Sequence, residues 1–176
     1  MASDVTGGAG PNDSGENTSA NGGEEPGAPP AQAPMMNIGY QYIKDLSFEN
    51  PRAPQIFQSS DQPEVSVNVN VGAERLADRT FEVVLRFVVS AKTKSDTVFV
   101  LELDYAGVCD IAHVAEQDLQ AVVLIEGPRI LFPFARAIIA NVTRDGGFPP
   151  LLISTVDFVE MYRNGLAEAQ SQTEEA

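Results

Sequence analysis

Residues Glu64–Val71, EVSVNVNV, place Val65, Val67, Val69 and Val71 on one side and Glu64, Ser66, Asn68 and Asn70 on the other. A period of two residues is the signature of an antiparallel strand with one face buried and one face wet. The same period recurs on both sides of this stretch. Downstream, Thr80–Thr93 aligns Phe81, Val83, Leu85, Phe87 and Val89, and Val98–Tyr105 aligns Phe99, Leu101, Leu103 and Tyr105. The short polar link Lys92–Asp96 predicts a hairpin between these two. Upstream, Asn37–Glu49 alternates more loosely, with Tyr40, Tyr42, Leu46 and Phe48 expected to share a face with Lys44, opposite Gln41, Ile43, Asp45, Ser47 and Glu49.

Beyond residue 115 the period changes. Glu116–Thr143 is helical in composition but carries Gly127-Pro128, where Pro suits a first helical turn and Gly the preceding break, so two helical pieces are expected. Pro133 should bend the second piece. Ile130–Val142, ILFPFARAIIANV, is apolar around most of its circumference, with Arg136 its only charge. One small subunit has too few elements to cover all those faces, so Ile130, Leu131, Phe134, Ile138 and Ile139 are expected at an interface with another subunit. A last helix starts at Asp157 as N-cap, with Glu160 three residues on and Val156 placed to staple onto Met161. Its apolar stripe is Phe158, Met161, Tyr162 and Leu166. The preceding segment, residues 146–153, GGFPPLLI, is apolar where loops are usually polar. Together they form a candidate lip for a groove that takes extended apolar peptide, lined or bordered by Phe148, Leu151, Leu152, Phe158 and Tyr162. For Phe158 and Tyr162 the alternative is plain core packing.

The flanks read differently. Residues 1–34 are rich in Gly, Pro, Ala, Ser and Asn, carry acids but no bases and contain no aromatic side chain, a composition that cannot offset the entropy of ordering; a disordered extension is expected. Residues 165–176 read as a flexible acidic tail, leaving a single folded body over 35–164. No apolar run reaches the roughly 20 residues needed to span a bilayer. The first ten residues lack the basic and apolar regions of a secretory signal, and a cytoplasmic location is expected. The formal charge of −14, from 25 acids against 11 bases, disfavours nucleic acid and anionic lipid and favours basic partners, although solubility alone would also explain it.

Little in the chain suggests catalysis. Cys109, Asp110 and His113 lie in CDIAH, but a nucleophile, base and orienter must converge with an oxyanion site, and nothing near this segment supplies one. One cysteine and one histidine fall short of a zinc ligand set, and one cysteine allows no internal disulfide. Gly146-Gly147 lacks the Lys-Ser/Thr and the strand and helix of a phosphate loop. Neither an enzyme nor a metal or other cofactor is therefore expected. One acidic set is more specific than general solvation: Asp45 and Glu49 share a strand face, as do Val100, Glu102 and Asp104, all pointing away from the presumed core. If the strands share a sheet, its outer face suits a basic partner.

The strings YIKDLSFENP (42–51), QPEV (62–65), FEVVLR (81–86), PRILFPFAR (128–136) and GFPPL (147–151) closely resemble the SecB family of bacterial export chaperones, in the family's order and across most of 35–164. The resemblance implies an α+β subunit with a four-stranded antiparallel sheet and helices on one side, assembled as a dimer of dimers. It implies a cytoplasmic holdase that binds unfolded precursor proteins in apolar grooves and delivers them to the SecA motor. Carried over by motif, the SecA-docking positions are Asp45 and Glu49 from KDLSFE and Val100 and Glu102 from VFVLE. The SecA region concerned carries its own zinc, so no metal is expected here. Two other readings compete: a small hydrolase or isomerase using Cys109, His113 or a carboxylate pair, and an acidic scaffold for one folded basic protein.

Overall fold

The computed structural model describes residues 33–174. The extension expected over 1–34 falls, for residues 1–32, outside the described residues, as do the last two residues of the expected tail. Four strands are followed by two helices: β1 (Met35–Glu49), β2 (Glu64–Arg75), β3 (Thr80–Lys92), β4 (Thr97–Ala112), α1 (Leu119–Asp145) and α2 (Phe158–Glu174). The strands form one antiparallel sheet in the order β1-β4-β3-β2. β2, β3 and β4 are a meander, and β1 lies beside β4, reached through residues 50–63 with a 3-10 turn at Gln55–Gln58.

The expected period holds without interruption in β2, paired with β3 from Glu64 opposite Lys92 to Arg75 opposite Phe81. Val83, Leu85, Phe87 and Val89 of β3 and Phe99, Leu101, Leu103 and Tyr105 of β4 are buried on one face. The β3–β4 turn closes as a hairpin, with Thr93 N–H donating to Asp96 O at 2.9 Å and Asp96 N–H to Thr93 Oγ1 at 3.1 Å. In β1 the expectation fails. Register shifts between Ile38 and Tyr40 and between Ile43 and Asp45 insert Gly39 and Lys44 as extra residues. Each bulge reverses the alternation. Leu46 and Phe48 pair with Leu103 and Leu101 on the core face, whereas Tyr40 and Tyr42 pair with Val108 and Ala106 on the opposite one. The four do not share a side.

α1 covers the core face. Seven of its buried residues, Leu119, Val123, Gly127, Leu131, Ala135, Ile139 and Thr143, recur every fourth position, with buried Pro128 and Phe132 flanking them, the spacing of one helix stripe. The two expected helical pieces are a single helix of 27 residues, with Pro128 and Pro133 inside it. Gly127 is a contact point, not a break: a Cβ there would lie 2.9 Å from Val83 Cγ2. Gly107 makes the matching concession on β4, where a Cβ would lie 2.7 Å from Leu131 Cδ2. Helix and sheet approach closely at these two points, and the packing of Leu131, Phe132 and Ala135 offsets the hydrogen bonds that the prolines cannot make.

α2 lies on α1, with Phe158 edge-on to Phe132 at 5.9 Å, and Phe132 in turn 6.2 Å from Phe87 of the sheet. Asp157 caps it as expected, its Oδ1 accepting from the N–H groups of Val159 (2.9 Å) and Glu160 (3.0 Å). The helix runs well past Gly165, where the sequence reading starts the tail. The link between the helices is fixed by Thr143, whose buried hydroxyl accepts from Leu151 N–H at 3.0 Å while its carbonyl accepts from Phe148 N–H.

Candidate functional site

Among the described residues no helix lies over the outer face of the sheet, and β1 and β4 bring the acidic set together there. Antiparallel partners share a face. Asp45 stands opposite Asp104, Ser47 opposite Glu102, and Glu49 opposite Val100. Glu102 thus falls between Asp45 and Glu49, which are about 13 Å apart along β1, with half-buried Val100 at the end of the row. Asp45, Glu49 and Glu102 are exposed. Asp104 is different. Arg86 of β3 clamps it through two bonds, Nε to Oδ1 at 2.8 Å and Nη2 to Oδ2 at 2.6 Å, and this holds its carboxyl below the usual carboxylate range.

A second cluster lies on the same face toward β3. Glu82 is only 7% exposed although no helix among the described residues covers it. Lys44 Nζ lies 2.6 Å from its Oε2, and Tyr42 donates its hydroxyl to Oε1. The hydrogen bonds donated by Lys44 and then Tyr42 hold the Glu82 carboxyl down, and the bond it donates to Glu82 pushes the Lys44 ammonium up. Sequence reading missed this cluster, because the bulge that turns Lys44 to the outer face shows only in the pairing.

The expected groove residues are not gathered in one place. Tyr162 lines a cavity of about 640 Å³ between β2, the start of α1 and α2, with Val71, Leu124, Met161 and Leu166 among its walls. Phe148 lies at the other end of α1, on the order of 30 Å away. There it packs with Phe99 (5.0 Å), Phe57 (5.4 Å) and Phe48 (6.5 Å). Leu152 is 66% exposed, and Leu151 is half-buried against the core. Phe158 must be withdrawn as a groove residue: at 3% exposure, closed between α1 and α2 by Phe132, it is core. Phe48, Phe57 and Phe99 were not singled out as neighbours of Phe148; their signal is purely three-dimensional.

Of the interface candidates, Leu131 and Ile139 also need correction, since both point at the sheet and are buried in their own subunit. Ile130 and Phe134 remain 40% and 50% exposed, and Ile138 is half-buried. The enzyme reading finds no support in geometry. The Cys109 thiol is buried, contacts Phe81 O at 3.5 Å, and is pushed up in pKa chiefly by burial, the opposite of an activated nucleophile.

Comparison with known proteins decides the family. Residues 29–169 match the family described as preprotein translocase subunit SecB. The chain belongs to the SecB family. Protein-export protein SecB of Parvibaculum lavamentivorans is 50% identical over 145 residues, which span 82% of this chain and 84% of that one. Its counterpart in Rhodopseudomonas palustris strain HaA2 is 49% identical, covering 83% and 94%. That of Bradyrhizobium strain BTAi1 is 48% identical, covering 85% and 91%. Among solved structures, a SecB-like chaperone of Mycobacterium tuberculosis in complex with an antitoxin peptide superposes with a TM-score of 0.57 at 17% identity, over 69% of this chain and 90% of that one. That likeness concerns the fold. Membership of the SecB family makes the chain a chaperone of protein export and not an enzyme. No helix among the described residues is long and apolar enough to cross a membrane.

Proposed function

We propose that this SecB chain is a cytoplasmic holdase that binds unfolded precursor proteins, works as a homotetramer built as a dimer of dimers, and delivers its clients to SecA through the outer face of the sheet. The observation that carries the delivery step is the row of Asp45, Glu102 and Glu49 beside Val100, set on a face that no helix among the described residues covers. Free carboxylates around one apolar side chain suit a basic partner that also has a small apolar contact to make. Clients are bound through apolar surface: exposed Leu152, the half-exposed Phe57 in the Phe148 cluster, and the cavity beside Tyr162. Assembly covers the exposed stripe of α1 around Ile130 and Phe134 with another copy. Arg136 Nε on the same helix is buried without a hydrogen-bond partner among the described residues, a cost of about 1–3 kcal/mol that an acceptor from a second subunit would offset.

The test compares affinities for SecA and for an unfolded precursor in Asp45→Ala, Glu49→Ala and Glu102→Ala, with Glu74→Ala as control. Glu74 lies on the same face but on β2, across the sheet. Each of the first three should weaken SecA binding several-fold at physiological salt, where the Debye length is about 8 Å, and leave precursor binding unchanged. Equal behaviour of all four variants would reduce the row to net charge.

A further inference from the structure

Docking through Asp45, Glu49 and Glu102 leaves the Lys44–Glu82 pair of the outer face unused, and its arrangement bears on the patch. Lys44 is the extra residue of the second β1 bulge. In a regular strand Lys44 and Asp45 would point to opposite faces. The bulge turns both outward, so a cation stands beside the first carboxylate of the patch. That cation is drawn away. Its Nζ is 2.6 Å from Glu82 Oε2, on β3, so the pair reaches across β4. The crossing point is Ala106, which pairs with Tyr42 on one side and Val84 on the other and whose methyl leaves room for the bridge. Tyr42 holds the second Glu82 oxygen, which fixes the acceptor in place. Arg86, the other cation nearby, is committed to Asp104.

We propose that Glu82 is a positioning residue of the docking surface: by drawing Lys44 across β4 it keeps the ammonium away from Asp45, so that the row of Asp45, Glu102 and Glu49 meets a basic partner without a competing cation. This rests on the docking role assigned above. Released, the Lys44 side chain is long enough to fold back over Asp45, satisfy one carboxylate and repel the incoming charge. A unit charge about 6 Å from the contact, in water, changes affinity about threefold, and more where the interface excludes solvent. The alternative is that Glu82 only ties β1 to β3.

The experiment measures SecA binding to the full-length chain at physiological salt for Glu82→Gln, Glu82→Gln/Lys44→Met and Glu82→Gln/Lys94→Met, beside Asp45→Ala as reference. Lys94 is an exposed lysine in the β3–β4 turn and controls for net charge. Glu82→Gln should lower SecA affinity roughly three- to tenfold, Lys44→Met should restore it to within about twofold, and Lys94→Met should not restore it. A purely structural Glu82 would lower thermal stability with no rescue by Lys44→Met. Unchanged SecA binding in Glu82→Gln, while Asp45→Ala loses it, overturns this inference and leaves the docking role standing. Unchanged binding in Asp45→Ala as well removes both. Should Glu82→Gln alone not fold, Glu82→Asp, which keeps the charge but withdraws the acceptor by one methylene from Lys44, takes its place: a fall in SecA affinity that Lys44→Met restores supports the proposal, and unchanged affinity overturns it.

Discussion

At the scale of single residues, the outer face holds two carboxylates that the fold keeps ionised. Lys44 and Tyr42 depress Glu82, and Arg86 depresses Asp104. A carboxyl whose folded-state pKa is below its unfolded value stabilises the fold above the unfolded pKa, and that contribution is lost as pH falls through the folded value. The sign is therefore fixed: stability should be flat near neutrality and decline from about pH 5 downward. Urea midpoints between pH 3 and 7 should show this decline in the wild type and a shallower one in Glu82→Gln. A slope that is the same in both would show that the Lys44–Glu82 pair contributes nothing to folding. These residues also mark the limit of reading by period. Asp45, Glu49 and Glu102 were legible as outward-facing because the alternation of β4 is regular and that of β1 is regular beyond its second bulge. Period alone puts Lys44 and Tyr42 on the wrong side, because each inserted residue reverses the alternation and the stretch between the two bulges is turned over.

At the scale of elements, α1 shows how tertiary packing overrides a local signal. Gly127-Pro128 reads as a helix boundary, and in an isolated peptide it would favour one. Here Gly127 lets the helix press onto Val83, and Pro128 is itself buried, so contact with the sheet carries the helix through both. Gly127→Ala tests this. Helix propensity alone favours alanine by about 0.8–1.0 kcal/mol. Val83 is β-branched and buried, with little freedom to yield, so overpacking of about 1–3 kcal/mol should win. A net loss of stability in chemical denaturation is expected, partly relieved by Val83→Ala. A gain would mean that the glycine is only a helix defect. The burial stripe of α1 was legible from spacing in the sense that one face had to meet the sheet. Which of its apolar residues did so was not, because a helix apolar all round offers no phase: Leu131 and Ile139 went inward and Ile130 and Phe134 outward. The cap at Asp157 was legible because it is a local event, decided by one side chain and the next two amides.

At the scale of the whole molecule, the sheet separates two surfaces. One face carries α1 and, on it, α2, with the apolar features assigned to clients and to other subunits. The other bears the carboxylates assigned to delivery. The separation explains how a chaperone could hold an apolar client while its acidic face stays free for a basic partner. The aromatic cluster of Phe48, Phe57, Phe99 and Phe148 joins elements distant in sequence, and so no local pattern announced it.

The central claim, that this chain holds polypeptide by its unfolded state, is tested most directly by sedimentation velocity with a labelled precursor, presented once unfolded and once native, without nucleotide. The account predicts that the unfolded precursor co-sediments with an assembly of four chains while the native form sediments alone. Co-sedimentation of the native form to the same extent, or failure of the unfolded form to bind, would contradict it.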